Sequence, residues 1–325
     1  MGEFDLIAAL RSRLPEEGGR LLLGSGDDAA VTSADGVNAT SVDAIVEGVH
    51  FRRPQSSPEA IGRRALSTAL SDLAAMGAAP GEAYVVLGVP EDLDEAGCLT
   101  LFSGLEAVAA ETETLLAGGD ITRSAVLFVA VTVVGHAPER ESLVTRGGAA
   151  EGDVVAVTGE LGGAAVGLLL LERGQDGVSD EIAERLIARQ LSPRPRLAEG
   201  SALAASGATA MIDISDGLGA DASHVAAQSG VGLDIDMSAV PLAPGLAEAA
   251  GALGEDALEL AAGEGEDYEL LACLREDSVE AARAAVVDAG GTLTVIGRCI
   301  DAEAGVRLSA ASGRELRVRG FDQLT

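Results

Sequence analysis

Apolar residues recur along this chain in two rhythms, one of three and four and one of short unbroken runs, and their alternation predicts a mixed α+β chain. Ile61, Ala65, Leu66, Ala69, Leu70, Leu73 and Met76 repeat at helical spacing, which predicts an amphipathic helix over residues 58–77. Phe4, Ile7, Ala8 and Leu10 predict a shorter helix over 3–14. Apolar runs bounded by glycines and acids predict strands at 39–51, 83–89, 114–117, 125–134, 154–157, 208–212, 293–299 and 306–309. Further helices are expected at 92–112, after Gly163, across 180–206 with a break at Ser192-Pro193-Arg194-Pro195-Arg196, from about 219, and at 276–290. Small and polar residues take over at 145–153, so two domains are expected, residues 1–149 and 150–325.

Where these runs end, acids collect. Gly24-Ser25-Gly26-Asp27-Asp28-Ala29-Ala30 sets two neighbouring carboxylates in a glycine-flanked turn. Two ionised carboxylates 4 to 5 Å apart repel by about 3 to 4 kcal/mol at an effective dielectric near 20, so such a pair needs water, a shared proton or a cation. Water alone satisfies an isolated pair; recurrence is what favours the cation. Asp43 is read as a strand-end acid, and Asp72 lies near a helix C-terminus, where an anion opposes the helix dipole. Gly118-Gly119-Asp120-Ile121-Thr122-Arg123 reads either as a plain turn or as an oxygen ligand beside an arginine fork suited to phosphate. Asp213-Ile214-Ser215-Asp216-Gly217 follows an apolar strand. Ser215 or Asp216 could cap the helix that follows and Asp221 could occupy its first turn, which leaves Asp213 unexplained. Gly263-Glu264-Gly265-Glu266-Asp267-Tyr268-Glu269 is a further acidic turn entering a strand.

Composition narrows the chemistry. The 325 residues are 47% hydrophobic with only 2% aromatic and no Trp, so the core is aliphatic, and Tyr268 and Phe321 are candidates to stack on a flat ligand as well as to pack. No apolar run reaches the roughly 18 to 20 residues of a membrane span and the acidic beginning is unlike a signal peptide, so a soluble cytoplasmic protein is expected. Cys98, Cys273 and Cys299 lie far apart in apolar surroundings and read as buried thiols. A net charge of −30 argues against nucleic acid or an anionic membrane as partner. All 22 basic residues are Arg. Without Lys there is no P-loop lysine, no kinase strand lysine and no Schiff base. The acids Asp27, Asp28, Asp43, Asp72, Asp120, Asp213 and Asp216 offer oxygen ligands suited to a hard cation such as Mg²⁺. Many carboxylates without lysine suit metal-held polyphosphate, where positioning and charge neutralisation carry phosphoryl transfer.

The order of the motifs resembles a known family. Gly26-Asp27-Asp28-Ala29-Ala30, Asp43 with Glu47-Gly48-Val49-His50-Phe51, Ser71-Asp72-Leu73-Ala74-Ala75-Met76-Gly77-Ala78, Gly118-Gly119-Asp120 with Thr122-Arg123, Asp213 with Ser215-Asp216-Gly217-Leu218, and Gly265-Glu266-Asp267-Tyr268-Glu269-Leu270 are similar to the thiamine-monophosphate kinases. These belong to the ATP-using superfamily related to aminoimidazole-ribonucleotide synthetase. The resemblance spans nearly the whole chain. It implies the two-domain fold of that superfamily, with N-terminal sheets pairing in a homodimer, a C-terminal α/β domain and an active site in the cleft between domains. It implies transfer of the ATP γ-phosphoryl group to thiamine monophosphate. By position, Asp28, Asp43, Asp72, Asp120, Asp213 and Asp216 correspond to Mg²⁺ ligands, with Asp27 beside them; Gly119, Arg146 and Ser215 correspond to ATP contacts, and His50, Glu266 and Phe321 to contacts of the thiamine end. Three positions depart from the family pattern. Val42 stands for a hydroxyl residue, leaving its own carbonyl and Ser41 as the oxygen donors there; Glu264 stands for a glycine and Ser192 for an arginine. Selenophosphate synthetase, which shares the superfamily, and a non-catalytic metal- or nucleotide-binding module are the alternatives.

Overall fold

A computed structural model describes residues 6, 9–10, 12–14, 20–23, 31–33, 36–263 and 265–316. Of the expected N-terminal helix, the described residues Leu6, Ala9 and Leu10 are helical, and the remainder lies outside. The chain forms two units, one of Met1–Leu73 and Ala78–Arg140, the other of Ala74–Gly77 and Glu141–Thr325.

In the first unit, β1 (Leu21–Leu23) pairs antiparallel with β2 (Val31–Thr32). Strands β3 (Val37–Val46), β4 (Ala79–Val89), β5 (Leu115–Arg123) and β6 (Phe128–Ala137) form a sheet of order β3-β6-β4-β5. Strict alternation makes β6 an inner strand: Val129, Val131 and Val133 are fully buried, while the residues between them are half-buried. Helix α1 (Pro58–Met76) realises the predicted apolar stripe, burying Ile61, Leu66, Leu70 and Leu73. Helix α2 (Glu95–Glu111) starts later than expected because Asp94 caps it, accepting the Gly97 N–H at 2.9 Å. The two helices touch at glycines. A Cβ on Gly62 would stand 1.9 Å from the Leu101 carbonyl oxygen, and one on Gly104 2.0 Å from that of Glu59.

Three strand expectations are corrected here. β3 stops at Val46 rather than running to Phe51, since residues 48–50 turn and the Gly48 N–H donates to the Phe51 carbonyl at 2.8 Å. Asp43 is nonetheless mid-strand, since β3 begins at Val37 and continues for three residues past it. The segment 118–123 is strand, not a turn: β5 runs parallel to β4 through Arg123, and Gly119 lies so close to Val85 that a Cβ would meet its carbonyl oxygen at 1.8 Å. β6 begins at Phe128, after a bend at Ala125 and Val126.

The second unit is built on β7 (Val154–Thr158), β8 (Ala210–Asp213), β9 (Gly232–Asp236), β10 (Leu270–Leu274), β11 (Leu293–Ile300), β12 (Val306–Ser309) and β13 (Glu315–Leu316). Their order is β13-β12-β9-β11-β7-β10-β8, antiparallel except for β9 with β12. All five residues of β7 and of β10 are buried. Val155, Val157, Leu271 and Cys273 enter one apolar cluster, and Val154, Ala156, Leu270, Ala272 and Leu274 enter another. Both faces are thus covered, which is why these strands read as unbroken apolar runs. Helices α3 (Gly163–Arg173), α4 (Asp180–Leu191), α5 (Leu197–Ala205), α6 (Leu218–Ser229), α7 (Leu246–Leu253), α8 (Ala257–Ala262) and α9 (Val279–Asp288) surround them in sequence. The proline-rich break separates α4 from α5 as expected. Strand β9 was not foreseen, because its exposed Asp234 and Asp236 gave it a polar appearance. No helix among the described residues is long and apolar enough to cross a membrane.

Candidate functional site

In the second unit two acidic turns are stitched side by side. Asp213, 3% exposed, ends β8 and pairs with Leu270 of β10. Beyond that pair the Ile214 N–H donates to Glu269 at 2.7 Å, and the Tyr268 N–H donates to Ile214 at 2.9 Å. Tyr268 adopts φ +51, a left-handed backbone uncommon for a residue with a side chain, and so swings the chain from the Glu266 turn into β10. Its hydroxyl donates to Glu266 at 3.2 Å, and the Gln190 amide donates to the other Glu266 oxygen at 3.1 Å. Tyr268 is 7% exposed, so it packs rather than offering a stacking face. Glu269, 1% exposed, anchors the turn from below by an ion pair with Arg196 and a 2.8 Å bond from the Thr158 hydroxyl. Asp267 accepts the N–H groups of Gly162 and Ala164, at 2.7 and 3.0 Å, at the start of α3. Desolvation pushes its carboxyl up to about 6 against those two bonds.

The turn after β8 is held from within. Neither Ser215 nor Asp216 caps α6, whose N-cap position is Gly217 without a side-chain bond. Instead Asp221, one turn inside the helix, reaches back: its Oδ2 accepts the N–H groups of Ser215, Asp216 and Gly217, each at 3.1 Å. Desolvation, followed by the charges of Asp213 and Asp216, raises its carboxyl to about 7. Desolvation also raises Asp216, with Glu266 adding to the rise and His224 and Arg146 opposing it. Ligand atoms of Asp216, Asp221 and His224 lie within 4.8 Å of one another. This unit therefore brings together Asp213, Ser215, Asp216, Arg146 and Glu266. The sequence reading passed over His224 and Gln190. The spacing of Asp221 and His224 on one helix was available as a signal, whereas Gln190 lies 76 residues from Glu266 and gave none.

In the first unit, Ser41 donates its hydroxyl to Asp72. Asp43 lies two residues along the same face and accepts the Ala44 N–H at 2.7 Å. Pairing places Asp43, Val131, Val85 and Gly119 in one row across the sheet; Asp120 falls in the next row, with Ala130 and Val86. The pleat thus directs Asp120 to the face opposite Asp43. Asp120, Gly119 and Arg123 are exposed, and so is Val42, at 66%. His50 accepts the Val46 N–H on Nδ1 at 3.1 Å, while Arg64 donates to its carbonyl at 2.6 Å. A ring nitrogen that accepts carries no proton, so neutral His50 presents Nε2–H as a donor. Asp27, Asp28, Glu264 and Phe321 lie outside the described residues.

Comparison with known proteins places this architecture. Residues 26–137 match the AIR synthase related protein N-terminal domain, and residues 150–308 match the corresponding C-terminal domain. The fold defines an AIR synthase related protein. Thiamine-monophosphate kinase of Mycobacterium tuberculosis (strain H37Rv) is 41% identical over 278 residues, 84% of this chain and 80% of that protein. The crystal structure of thiamine-monophosphate kinase from Stenotrophomonas maltophilia K279a aligns with TM-score 0.84 at 34% identity, covering 97% of this chain and 98% of that one. A structure of AaThiL complexed with AMPPCP and TMP aligns with TM-score 0.77 at 30% identity, covering 98% and 96%. The chain belongs to the thiamine-monophosphate kinase family. Hydrogenase maturation protein HypE, at 20% identity and TM-score 0.77, shares the fold alone.

Proposed function

We propose that this protein is a kinase that transfers the γ-phosphoryl group of ATP to thiamine monophosphate, giving thiamine diphosphate and ADP. The observation that carries the reading beyond family membership is the pair of stitched turns, which sets Asp213, Ser215 and Asp216 beside Glu266 in one unit. The acceptor is a phosphate oxygen already ionised at neutral pH, so no strong general base is required. Glu266, oriented by Gln190 and Tyr268, is opposite in charge to a thiazolium ring. His50, with its tautomer set by Val46, can donate Nε2–H to an anionic group. Arg146 and exposed Arg123 are the side chains to pair with nucleotide phosphates, with Gly119 and Ser215 beside the nucleotide.

The donor set fits a hard divalent ion: carboxylate oxygens with no lysine, and an Asp216 already destabilised by burial and by Glu266. In this reading Asp27, Asp28, Ser41, the Val42 carbonyl, Asp43, Asp72, Asp213 and Asp216 hold Mg²⁺ ions, with Asp120, on the opposite face of its sheet from Asp43, holding a separate one; when bound, the ions would neutralise charge on the transferred group. Phe321 belongs with the thiamine end. Residues 1–149 form the nucleotide, metal and dimerisation domain, and residues 150–325 form the C-terminal domain. A homodimer is supported by β3, an edge strand whose Thr40, Val42 and Ala44 are exposed. Use of ATP and three buried free thiols support a cytoplasmic location. Selenophosphate synthesis finds no support in Cys98, which is fully buried in α2.

The test is direct. Purified protein with ATP, Mg²⁺ and thiamine monophosphate should form thiamine diphosphate and ADP. No product above a no-enzyme control, in both dilute and molar salt, would reject the assignment.

A further inference from the structure

We propose that Asp221 is a positioning residue for the nucleotide-side turn, through its grip on the three consecutive N–H groups of Ser215, Asp216 and Gly217; this rests on the kinase reading above. Three amides converging on one point form an anion-binding concavity of the kind that other proteins present to phosphate. Here the concavity is filled by the chain's own carboxylate, all three bonds meeting at Oδ2 at 3.1 Å. The polar groups left to the turn's side chains are therefore the half-buried Ser215 hydroxyl and Asp216 carboxylate. A phosphate approaching this turn meets a hydroxyl that can donate and a carboxylate that repels it unless a cation lies between.

The choice of residue supports a positioning role. Asp221 is 2% exposed and lies close to Asp213 and Asp216, where a further negative charge is repelled. A helix needing only an N-terminal cap is served by a Ser or Asn at the N-cap, but that position is Gly217 at φ +116. The compensating gain at Asp221 is a set of three bonds that converge on one side-chain oxygen, from a rigid helix to a turn that has no other regular structure. Because Asp221 sits in the first turn of α6 and Asp213 ends β8, the turn is fixed at both ends, and the direction of the Asp216 side chain follows.

The full-length chain and its Asp221→Ala, Asp221→Asn and Asp221→Glu variants should be titrated with AMPPCP in the presence of Mg²⁺ by calorimetry, and separately with thiamine monophosphate alone. Asp221→Ala is expected to weaken AMPPCP about 10- to 100-fold, the usual size of effect for a residue that orients a ligand. Thiamine monophosphate binding, which engages Glu266, should change by less than about twofold. Asp221→Asn keeps an oxygen in the same place and should retain affinity within about threefold, whereas Asp221→Glu keeps the charge but not the reach and should lose it. Amide exchange at residues 215–217 should accelerate in Asp221→Ala in the absence of any ligand. Wild-type AMPPCP affinity in Asp221→Ala, even with a lowered melting temperature, reduces Asp221 to a helix-stabilising residue and overturns the proposal. If Asp221→Ala does not fold, a Glu variant that binds as wild type with an Asn variant that does not overturns it equally, since charge rather than placement then matters. Wild-type protein that fails to bind AMPPCP with Mg²⁺ rejects the kinase reading itself, and the exchange rates still decide whether Asp221 holds the turn.

Discussion

The two units carry their acids by different means. In the second, Asp213, Asp216 and Glu266 stand where strands end, and each turn is held by identifiable bonds from Asp221, Gln190, Tyr268 and Glu269. In the first, Asp43 and Asp120 lie within strands, and their directions follow from the register of β3, β6, β4 and β5. A turn-borne acid can be misdirected by deleting one side-chain bond. A strand-borne acid cannot, since only a shift of pairing would move it and a one-residue shift would expose the whole buried set. The first unit is therefore robust in placement and the second is adjustable.

The largest effect that tests this contrast is on turnover. Asp43→Asn and Asp213→Asn should each lower kcat about 100-fold or more while leaving the fold intact, as judged by circular dichroism and melting. Near-normal activity in either variant removes that residue from the catalytic machinery. Next comes the pH dependence of Asp267, whose carboxyl rises from an ordinary 3.8 to about 6 in the folded protein. Between those values the folded state binds more protons than the unfolded one, so this group's contribution to stability falls as pH rises through the window and is constant above it. The change amounts to at most about 3 kcal/mol. Denaturant unfolding of wild type and Asp267→Asn should therefore diverge in favour of Asn from pH 4 to pH 7, on top of a constant offset for the lost bond. Parallel curves would show that Asp267 is not desolvated. The smallest effect concerns the first sheet: Gly119→Ala sets a Cβ against the Val85 carbonyl and should cost about 1 to 3 kcal/mol. An unchanged midpoint would mean that β5 and β4 are not packed at that distance.

Much of this arrangement could be read from the residues. The stripe from Ile61 to Met76 gave α1 to within one residue at its C-terminal end, because an amphipathic helix writes its period directly into the chain. The acid at the end of β8 was equally plain, since an unbroken apolar run stops at Asp213. Glycine misled at 118–119: the residues that usually free a backbone to turn here let two strands lie side by side. Asp43 was misplaced by three residues of strand for a related reason, because the polar exit at Glu47 and Gly48 follows apolar residues that continue the ladder. Bonds between distant segments, such as Gln190 to Glu266, left no local trace at all. The role of Asp221 was half visible, as an acid in a first helical turn, but its three bonds point backwards to the turn rather than forwards along the helix.

The account depends on divalent ions, in place of lysines, holding the nucleotide's phosphates, and calorimetry of AMPPCP binding tests it most directly. With Mg²⁺ present the wild-type protein should bind the analogue, and with EDTA in place of Mg²⁺ the affinity should fall on the order of 100-fold. Equal affinity in the two buffers would contradict the account, because arginines and backbone amides would then suffice to hold the phosphates.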